Sequence, residues 1–138
     1  MDHDLMVERL FESLIAGDRH GTRQLVAEFT GQGMTPRQLI QELFWPTYTL
    51  IERLHRDDQL TRMSYQMATR LLRVTVDRTS ALLPIAPRSG KTIFACCGPT
   101  DGDELGAQMA TDLLEAAGFN VAFAGGQIPS DEVLAQVH

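Results

Sequence analysis

Apolar residues in the first half of the chain recur at the three- and four-residue spacing of amphipathic helices. The pattern predicts four helices, over residues 5–15, 22–29, 36 to about 54, and 60–83. Thr35 and Pro36 have the residue types that start a helix, and Pro46 is predicted to kink the third helix. The apolar stripe of the fourth helix is predicted to consist of Leu60, Met63, Met67, Leu71 and Val74. Short connections between the four helices predict a bundle, which forms a cap domain over residues 1–83.

The second half changes from helical periodicity to alternating strands and helices. Residues 84–90 contain two prolines and a glycine without periodicity, which predicts an exposed, flexible linker. Beyond it the pattern predicts a strand over 92–97 covered on both faces, a helix over 104–118, a strand over 120–124 and a helix over 129–137. Residues 91–138 are therefore predicted to be the first βαβα portion of a parallel, Rossmann-like or flavodoxin-like domain. Ligands of such sheets lie beyond the carboxyl ends of the strands, here at the loop 98–103.

Two strands and two helices are too small for a stable parallel sheet. We expect either that the chain is a fragment whose further strands follow His138, or that another chain completes the sheet. The fragment is the favoured alternative.

Charge and composition narrow the function classes. With 12 basic and 18 acidic residues the formal net charge is −6, which argues against nucleic acid and anionic membranes as partners. The chain has neither an apolar run of membrane-spanning length nor an N-terminal signal peptide, so a cytoplasmic location is predicted. Cys96 and Cys97 are adjacent, which suits two buried free thiols better than a zinc site.

Four features of the second half occur in a recognisable order: Asp101, Gly106, the segment 118–121 (Gly-Phe-Asn-Val) and the turn 125–129 (Gly-Gly-Gln-Ile-Pro). Together with the four-helix cap, they resemble the cobalamin-binding module of methionine synthase, corrinoid methyl carriers and light-responsive cobalamin-dependent repressors. The resemblance spans nearly the whole chain. It implies a corrinoid between cap and α/β domain, with Asp101, Asp103, Gly106, Gly125 and Gly126 as candidate cofactor-binding residues.

Asp103 departs from the family motif, because relatives carry there the histidine that ligates cobalt from below. A carboxylate is a poorer donor to cobalt than an imidazole. The substitution implies that cobalamin, if bound, keeps its own dimethylbenzimidazole or a water on the metal. If the protein supplies any metal ligand at this position, that ligand is Asp103. Asp101 and Asp103 would then bond the corrin amides. The alternative is purely structural: Thr100 or Asp101 caps the following helix, and Asp103 or Glu104 completes a capping box.

The cap departs from the family as well. By the resemblance, Tyr65 and Gln66 replace a Glu-His pair that faces the upper side of the corrin, and His55 occupies the position of a tryptophan over the upper ligand. His55 near a helix end is also suited to be a partner of the helix dipole, and that alternative stays open.

Other aromatic and histidine residues have structural explanations. Phe44 and Trp45 are predicted to pack in the core. His3, His20 and His138 are predicted to lie in termini or loops, with no spacing that indicates a metal site.

The sequence thus predicts a cobalamin-binding regulatory or sensor module without catalysis of its own. Two alternatives remain: a degenerate protein-interaction module that no longer binds cobalamin, and a corrinoid methyl carrier for a partner methyltransferase. A protein partner or a homodimer is compatible with each of them.

Overall fold

The computed structural model describes residues 2–137, and the chain divides into two compact units, Met1–Leu83 and Pro84–His138. The first unit contains α1 (His3–Ile15), α2 (Arg19–Gly31), α3 (Pro36–Gln38), a π-helical segment (Leu39–Phe44), α4 (Trp45–Arg56) and α5 (Arg62–Ser80). The second contains β1 (Thr92–Ala95), α6 (Asp101–Ala116), β2 (Asn120–Phe123) and α7 (Ser130–Val137). The predicted fold class, a helical cap followed by a truncated parallel α/β domain, is confirmed.

The cap is held together by apolar side chains from all of its helices. Helix α1 contacts α2, α4 and α5, and it buries Met6, Leu10 and Leu14. The larger fully buried side chains of the cap are Phe29, Phe44, Leu10, Leu14, Ile40, Leu43, Ile51 and Leu72. Each such side chain stabilises the fold by about 1.5–3 kcal/mol relative to full exposure.

The predicted stripe of α5 is wrong at three positions. Met63 and Val74 are 69% and 38% exposed, and Leu60 precedes the helix. The buried face includes Ala68, Thr69, Leu71, Leu72, Thr75, Val76 and Thr79. Threonine can line this core because its hydroxyl bonds back along the helix, as Thr75 Oγ1 donates to the Leu71 carbonyl at 2.8 Å. A pattern that counts only apolar residues therefore misplaces the face.

The third predicted helix departs from α-helical geometry before Pro46. In the π-helical segment hydrogen bonds reach back five residues, and the Trp45 N–H bonds the Ile40 carbonyl. Pro46 has no N–H to donate to the carbonyl four residues before it, which belongs to Glu42. That carbonyl accepts a hydrogen bond from Nε2 of His3.

The predicted positions of the histidines need correction. His3 and His20 lie in α1 and α2 rather than in termini or loops, because both helices begin earlier than their apolar residues indicate. His138 lies outside the described residues.

In the second unit β1 and β2 pair in parallel, with Thr92 opposite Asn120 and Ala95 opposite Phe123. Strand β1 ends at Ala95 rather than at residue 97, so the prediction of two buried thiols is wrong: Cys96 is exposed and Cys97 half-buried. The middle of β1 is also only half-buried among the described residues, not covered on both faces.

The segment 84–90 is mostly exposed, and hydrogen bonds tie it to the end of α6. The Ala86 N–H donates to the Ala116 carbonyl and the Ser89 N–H to that of Gly118. Arg88 donates to the carbonyls of Glu115 and Phe119, both at 2.9 Å. The Ala116 and Glu115 carbonyls belong to the last turn of α6, where carbonyls lack intrahelical partners, and those of Gly118 and Phe119 lie just beyond it.

Among residues 2–137, no helix combines the length and apolarity needed to cross a membrane.

Candidate functional site

The loops that follow β1 and β2 meet at the carboxyl edge of the two strands. The Ala124 N–H donates to the Ala95 carbonyl at 2.9 Å, and the Cys97 N–H donates to the Gly125 carbonyl at 3.0 Å. Farther out, Nε2 of Gln127 donates to the Pro99 carbonyl at 3.3 Å. Parallel strands bring these loops to one edge, as the alternation of strand and helix predicts.

Glycine is required where the two loops come closest. A Cβ on Gly126 would lie 2.4 Å from the Gly98 carbonyl oxygen, which is backbone and has little freedom to move. Gly125 has φ +79°, a left-handed conformation that favours glycine. The glycines that carry the family resemblance are therefore needed here for the loops to pack.

Asp103 has a specific structural role. Its N–H donates to Thr100 Oγ1 at 3.0 Å, and its Oδ2 accepts from the Thr100 N–H at 3.2 Å, which is a capping box at the start of α6. The same carboxylate lies against Gly98, where an added Cβ would be 2.3 Å from Oδ2. The capping box formed by Thr100 and Asp103 also explains why α6 begins at Asp101, three residues before the predicted start.

We expect Thr100→Ala to loosen the first turn of α6. Loss of an N-cap hydroxyl costs about 1 kcal/mol, which corresponds to roughly fivefold faster hydrogen exchange at the Asp103 amide if that amide exchanges by local opening. Mass spectrometry of exchanged peptides measures this change. Thr35→Ala is a matched control, because Thr35 forms the equivalent capping box with Gln38 in the other unit. Equal exchange in wild type and Thr100→Ala would contradict the assignment.

The remaining predicted residues of this unit lie on the same helix. Asp101 is exposed in the first turn of α6, and Gly106 is buried one turn later. Glu104, which was not predicted as a site residue, joins the two loops: its Oε1 accepts from the Gly126 N–H at 3.2 Å. The available signal was its position directly after the predicted capping residues 100–103, at the start of α6 and close to the loops.

The cap carries a second cluster, on one face of α4. Its members recur at steps of three, four and three residues: Trp45, Tyr48, Glu52 and His55. A helix turns about 100° per residue, so this spacing places them within one stripe. The rings of Trp45 and Tyr48 are tilted by 38° with centroids 5.1 Å apart. We call these four residues the aromatic face.

Trp45 is not a core residue, contrary to the prediction. It is 43% exposed, whereas its neighbour Phe44 is fully buried as predicted. Side chains at adjacent positions on a helix point about 100° apart, so the burial of Phe44 does not imply that Trp45 is buried. Trp45 instead gives the aromatic face a large, accessible ring.

Two of the three predicted cap residues come together. The rings of His55 and Tyr65 stack with centroids 3.7 Å apart and planes at 11°. The Tyr65 hydroxyl donates to Glu52 Oε1 at 2.7 Å, so α5 is tied to the aromatic face. The Gln66 side chain is exposed and takes no part in these contacts. Glu52 was missed because its partner lies 13 residues away in the chain.

Within residues 2–137, no group of three or more His, Cys, Asp or Glu side chains is arranged to hold a metal ion.

In comparison with known proteins the chain matches one family model, and two of the similar solved structures are described here. The family model described as "B12 binding domain" matches residues 6–78. The methanol:cobalamin methyltransferase complex MtaBC from Methanosarcina barkeri is 20% identical with a TM-score of 0.57, covering 97% of this chain and 52% of that one. The monomethylamine corrinoid protein of Methanosarcina barkeri is 13% identical with a TM-score of 0.78, covering 98% and 64%. The comparison with curated proteins gives no match.

The chain thus spans between about half and two thirds of the length of these two structures. At such low identity the likeness concerns the fold.

Proposed function

From the premise that this chain belongs to the B12 binding domain family, we propose that it is a non-catalytic, cobalamin-binding regulatory module that supplies no lower ligand from the motif position. The observation that carries the proposal is the capping box at Asp103. One carboxylate oxygen of Asp103 bonds the Thr100 N–H and lies against Gly98. Ligation of cobalt through Oδ2 of Asp103 would require this oxygen to give up its hydrogen bond and would weaken the cap of α6.

The residues of both clusters are chemically suited to a corrinoid. The periphery of a corrin carries primary amides, and the carboxylates of Asp101 and Glu104 can accept hydrogen bonds from them. The loops at Gly125 and Gly126 can approach a ligand closely because they carry no side chains. In the cap, Trp45 and Tyr48 offer rings to a flat, largely apolar macrocycle. A bound corrinoid supplies a cobalt centre whose axial ligand can be exchanged.

We infer a regulatory role because the motif position carries Asp103 and not a histidine. A methyl carrier cycles its cobalt between ligation states, and a histidine beneath the metal assists that cycle in the relatives that the motif resembles. Because the Asp103 carboxylate is engaged in the capping box of α6, this chain is better suited to hold a corrinoid than to cycle its cobalt between ligation states. Binding would then favour one conformation of the module over another, which a protein partner or a second copy can detect.

A corrinoid methyl carrier is the second candidate function. The likeness of the chain to a monomethylamine corrinoid protein favours it. A carrier must accept a methyl group from a partner methyltransferase and pass it on, whereas a regulatory module need only bind. Single-turnover demethylation of bound methylcobalamin by a candidate methyltransferase distinguishes the two.

The test of the proposal is gel filtration and absorbance titration with hydroxocobalamin, methylcobalamin and adenosylcobalamin. We expect a coloured one-to-one complex whose spectrum is the same in wild type and Asp103→Asn, because asparagine preserves the size and the accepting oxygen of the cap. A spectrum altered by Asp103→Asn would make Asp103 a cobalt ligand and overturn the proposal. A protein that stays colourless with all three cobalamins would favour the degenerate interaction module.

A further inference from the structure

We propose that Cys96 and Cys97 form a reversible redox site, which closes to a disulfide between adjacent residues and loosens the loops that follow β1 and β2. The effect on cobalamin binding rests on the proposed function. These are the two cysteines of the chain, and both are thiols. Cys96 is exposed and Cys97 half-buried, so a reagent from solution reaches Cys96 first. An accessible thiol beside a second, resolving cysteine is the arrangement typical of redox-sensing sites.

The position of the pair lets both thiols turn to one side of the backbone. In a strand, adjacent side chains point to opposite faces, which would keep the two sulfur atoms apart. Strand β1 ends at Ala95, so Cys96 and Cys97 lie in the irregular segment between β1 and α6. Gly98 follows directly, and a residue without a side chain allows the backbone to rotate there. The alternation of a strand is therefore not imposed on this pair.

The oxidant that the site takes is a low-molecular-weight disulfide, such as oxidised glutathione. The Cys96 thiolate attacks one sulfur of the oxidant, forms a mixed disulfide and releases one thiolate. The Cys97 thiolate then attacks the Cys96 sulfur, which closes the disulfide between the two residues and releases the second thiolate. In total the two protein thiols lose two protons and two electrons, and the oxidant takes up both to become two thiol molecules.

The disulfide of this pair is expected to be easily reversed. Adjacent Cα atoms are about 3.8 Å apart across a trans peptide and about 2.9 Å across a cis one, whereas disulfides usually join Cα atoms about 4.4–6.8 Å apart. Closure of the ring therefore strains the peptide between the two residues. Strained and exposed disulfides are reduced more readily than structural ones and are typically the regulatory ones. The pair is thus suited to respond to the ratio of thiol to disulfide around it.

The peptide that closure strains is also the one that ties the two loops together. Its N–H, which belongs to Cys97, donates to the Gly125 carbonyl at 3.0 Å. The next residue, Gly98, lies against Gly126. Distortion of this peptide turns the N–H away from its acceptor. Loss of one such hydrogen bond changes an equilibrium constant by about two- to tenfold, and we expect cobalamin affinity to fall by that factor in the oxidised protein.

The experiment equilibrates the full chain, without cobalamin, in mixtures of reduced and oxidised glutathione. Remaining thiols are blocked with an alkylating reagent, and the intact mass is measured. We expect oxidising mixtures to give a monomer that is lighter by about 2 Da and carries neither glutathione nor alkyl groups, because closure removes two hydrogen atoms. Peptide mapping should place the new bond between Cys96 and Cys97, and reduced glutathione should restore both thiols.

Two single substitutions separate the roles of the thiols. Cys97→Ser lacks the resolving thiol, so its reaction should stop at a stable mixed disulfide on Cys96. Cys96→Ser keeps only the half-buried thiol and should react more slowly with oxidised glutathione. Far-UV circular dichroism checks that both variants are folded.

The effect on the loops is measured first without a ligand and then with one. Hydrogen exchange should be faster in peptides that cover 97–98 and 125–127 of the oxidised wild type. Glutathione is then removed by gel filtration, and both forms are titrated with methylcobalamin, whose methyl group occupies the axial position that a thiol could otherwise take. The oxidised form should bind about two- to tenfold more weakly, whereas the affinity of Cys96→Ser should not depend on the treatment.

The outcomes distinguish this proposal from the proposed function. A wild type that retains a mixed disulfide with glutathione, forms disulfide-linked dimers or stays reduced in oxidised glutathione alone overturns the redox site, whatever its affinity for cobalamin. A closed disulfide that changes neither hydrogen exchange nor methylcobalamin affinity overturns its effect on the loops. A wild type that binds no cobalamin in either form overturns the proposed function, and the mass and exchange measurements still decide the redox site.

Discussion

Gly126→Ala is expected to weaken cobalamin binding by about ten- to a hundredfold, because overpacking of a tight contact typically costs about 1–3 kcal/mol. The new methyl group would lie 2.4 Å from the carbonyl oxygen of Gly98 and 3.3 Å from Cα of Pro99. All of these neighbours are backbone atoms, so no side chain can rotate away. The loops after β1 and β2 must separate, which also strains the bond from the Gly126 N–H to Glu104.

Absorbance titration with hydroxocobalamin measures the effect, and circular dichroism confirms that the variant is folded. Gly31→Ala is the matched control, since a Cβ at Gly31 meets nothing within 4 Å and its backbone needs no positive φ. We expect its affinity to equal that of wild type. If Gly126→Ala is folded and also binds cobalamin as wild type does, these loops do not form the cobalamin site.

Phe44→Ala is expected to lower the free energy of unfolding of the cap by about 3–5 kcal/mol. Phe44 is fully buried in the π-helical segment, and its loss leaves a cavity among other buried side chains. A loss of this size is a large part of the 5–15 kcal/mol that typically stabilises a small domain. Urea denaturation followed by far-UV circular dichroism measures it, because the cap contributes most of the helix.

The neighbouring residue provides the control. Trp45→Ala removes a larger ring that is 43% exposed, so we expect a stability change within about 0.5–1 kcal/mol. The same variant should weaken cobalamin binding, because the aromatic face loses its largest ring. Similar destabilisation by both substitutions would contradict the assignment of Trp45 to the surface.

Much of the fold could be predicted from the sequence because its signals are local. Thr35 and Pro36 start a helix in the structure as their residue types predict. The alternation of strands and helices after residue 91 correctly predicted the parallel pairing of β1 and β2. The capping box at Asp103, one of two alternatives weighed for that residue, is also a local signal over three residues.

What could not be predicted depends on contacts between distant residues. The bond between Glu104 and Gly126 joins positions 22 residues apart, and that between Tyr65 and Glu52 joins two helices. The exposure of Trp45 depends on the helical phase through the π-helical segment, which apolar spacing does not reveal. The family resemblance implied that His55 and Tyr65 face the same side of a corrin, but only the packing of α4 on α5 shows that their rings stack.

The π-helical segment also has a consequence for comparing this protein with its relatives. A hydrogen bond that reaches back five residues instead of four accommodates one additional residue, as an insertion would. A relative whose corresponding helix is α-helical throughout reaches the same face with one residue fewer. Its sequence should then be aligned with a one-residue gap inside 39–44, since a gap placed later would pair His55 with the neighbour of its true counterpart.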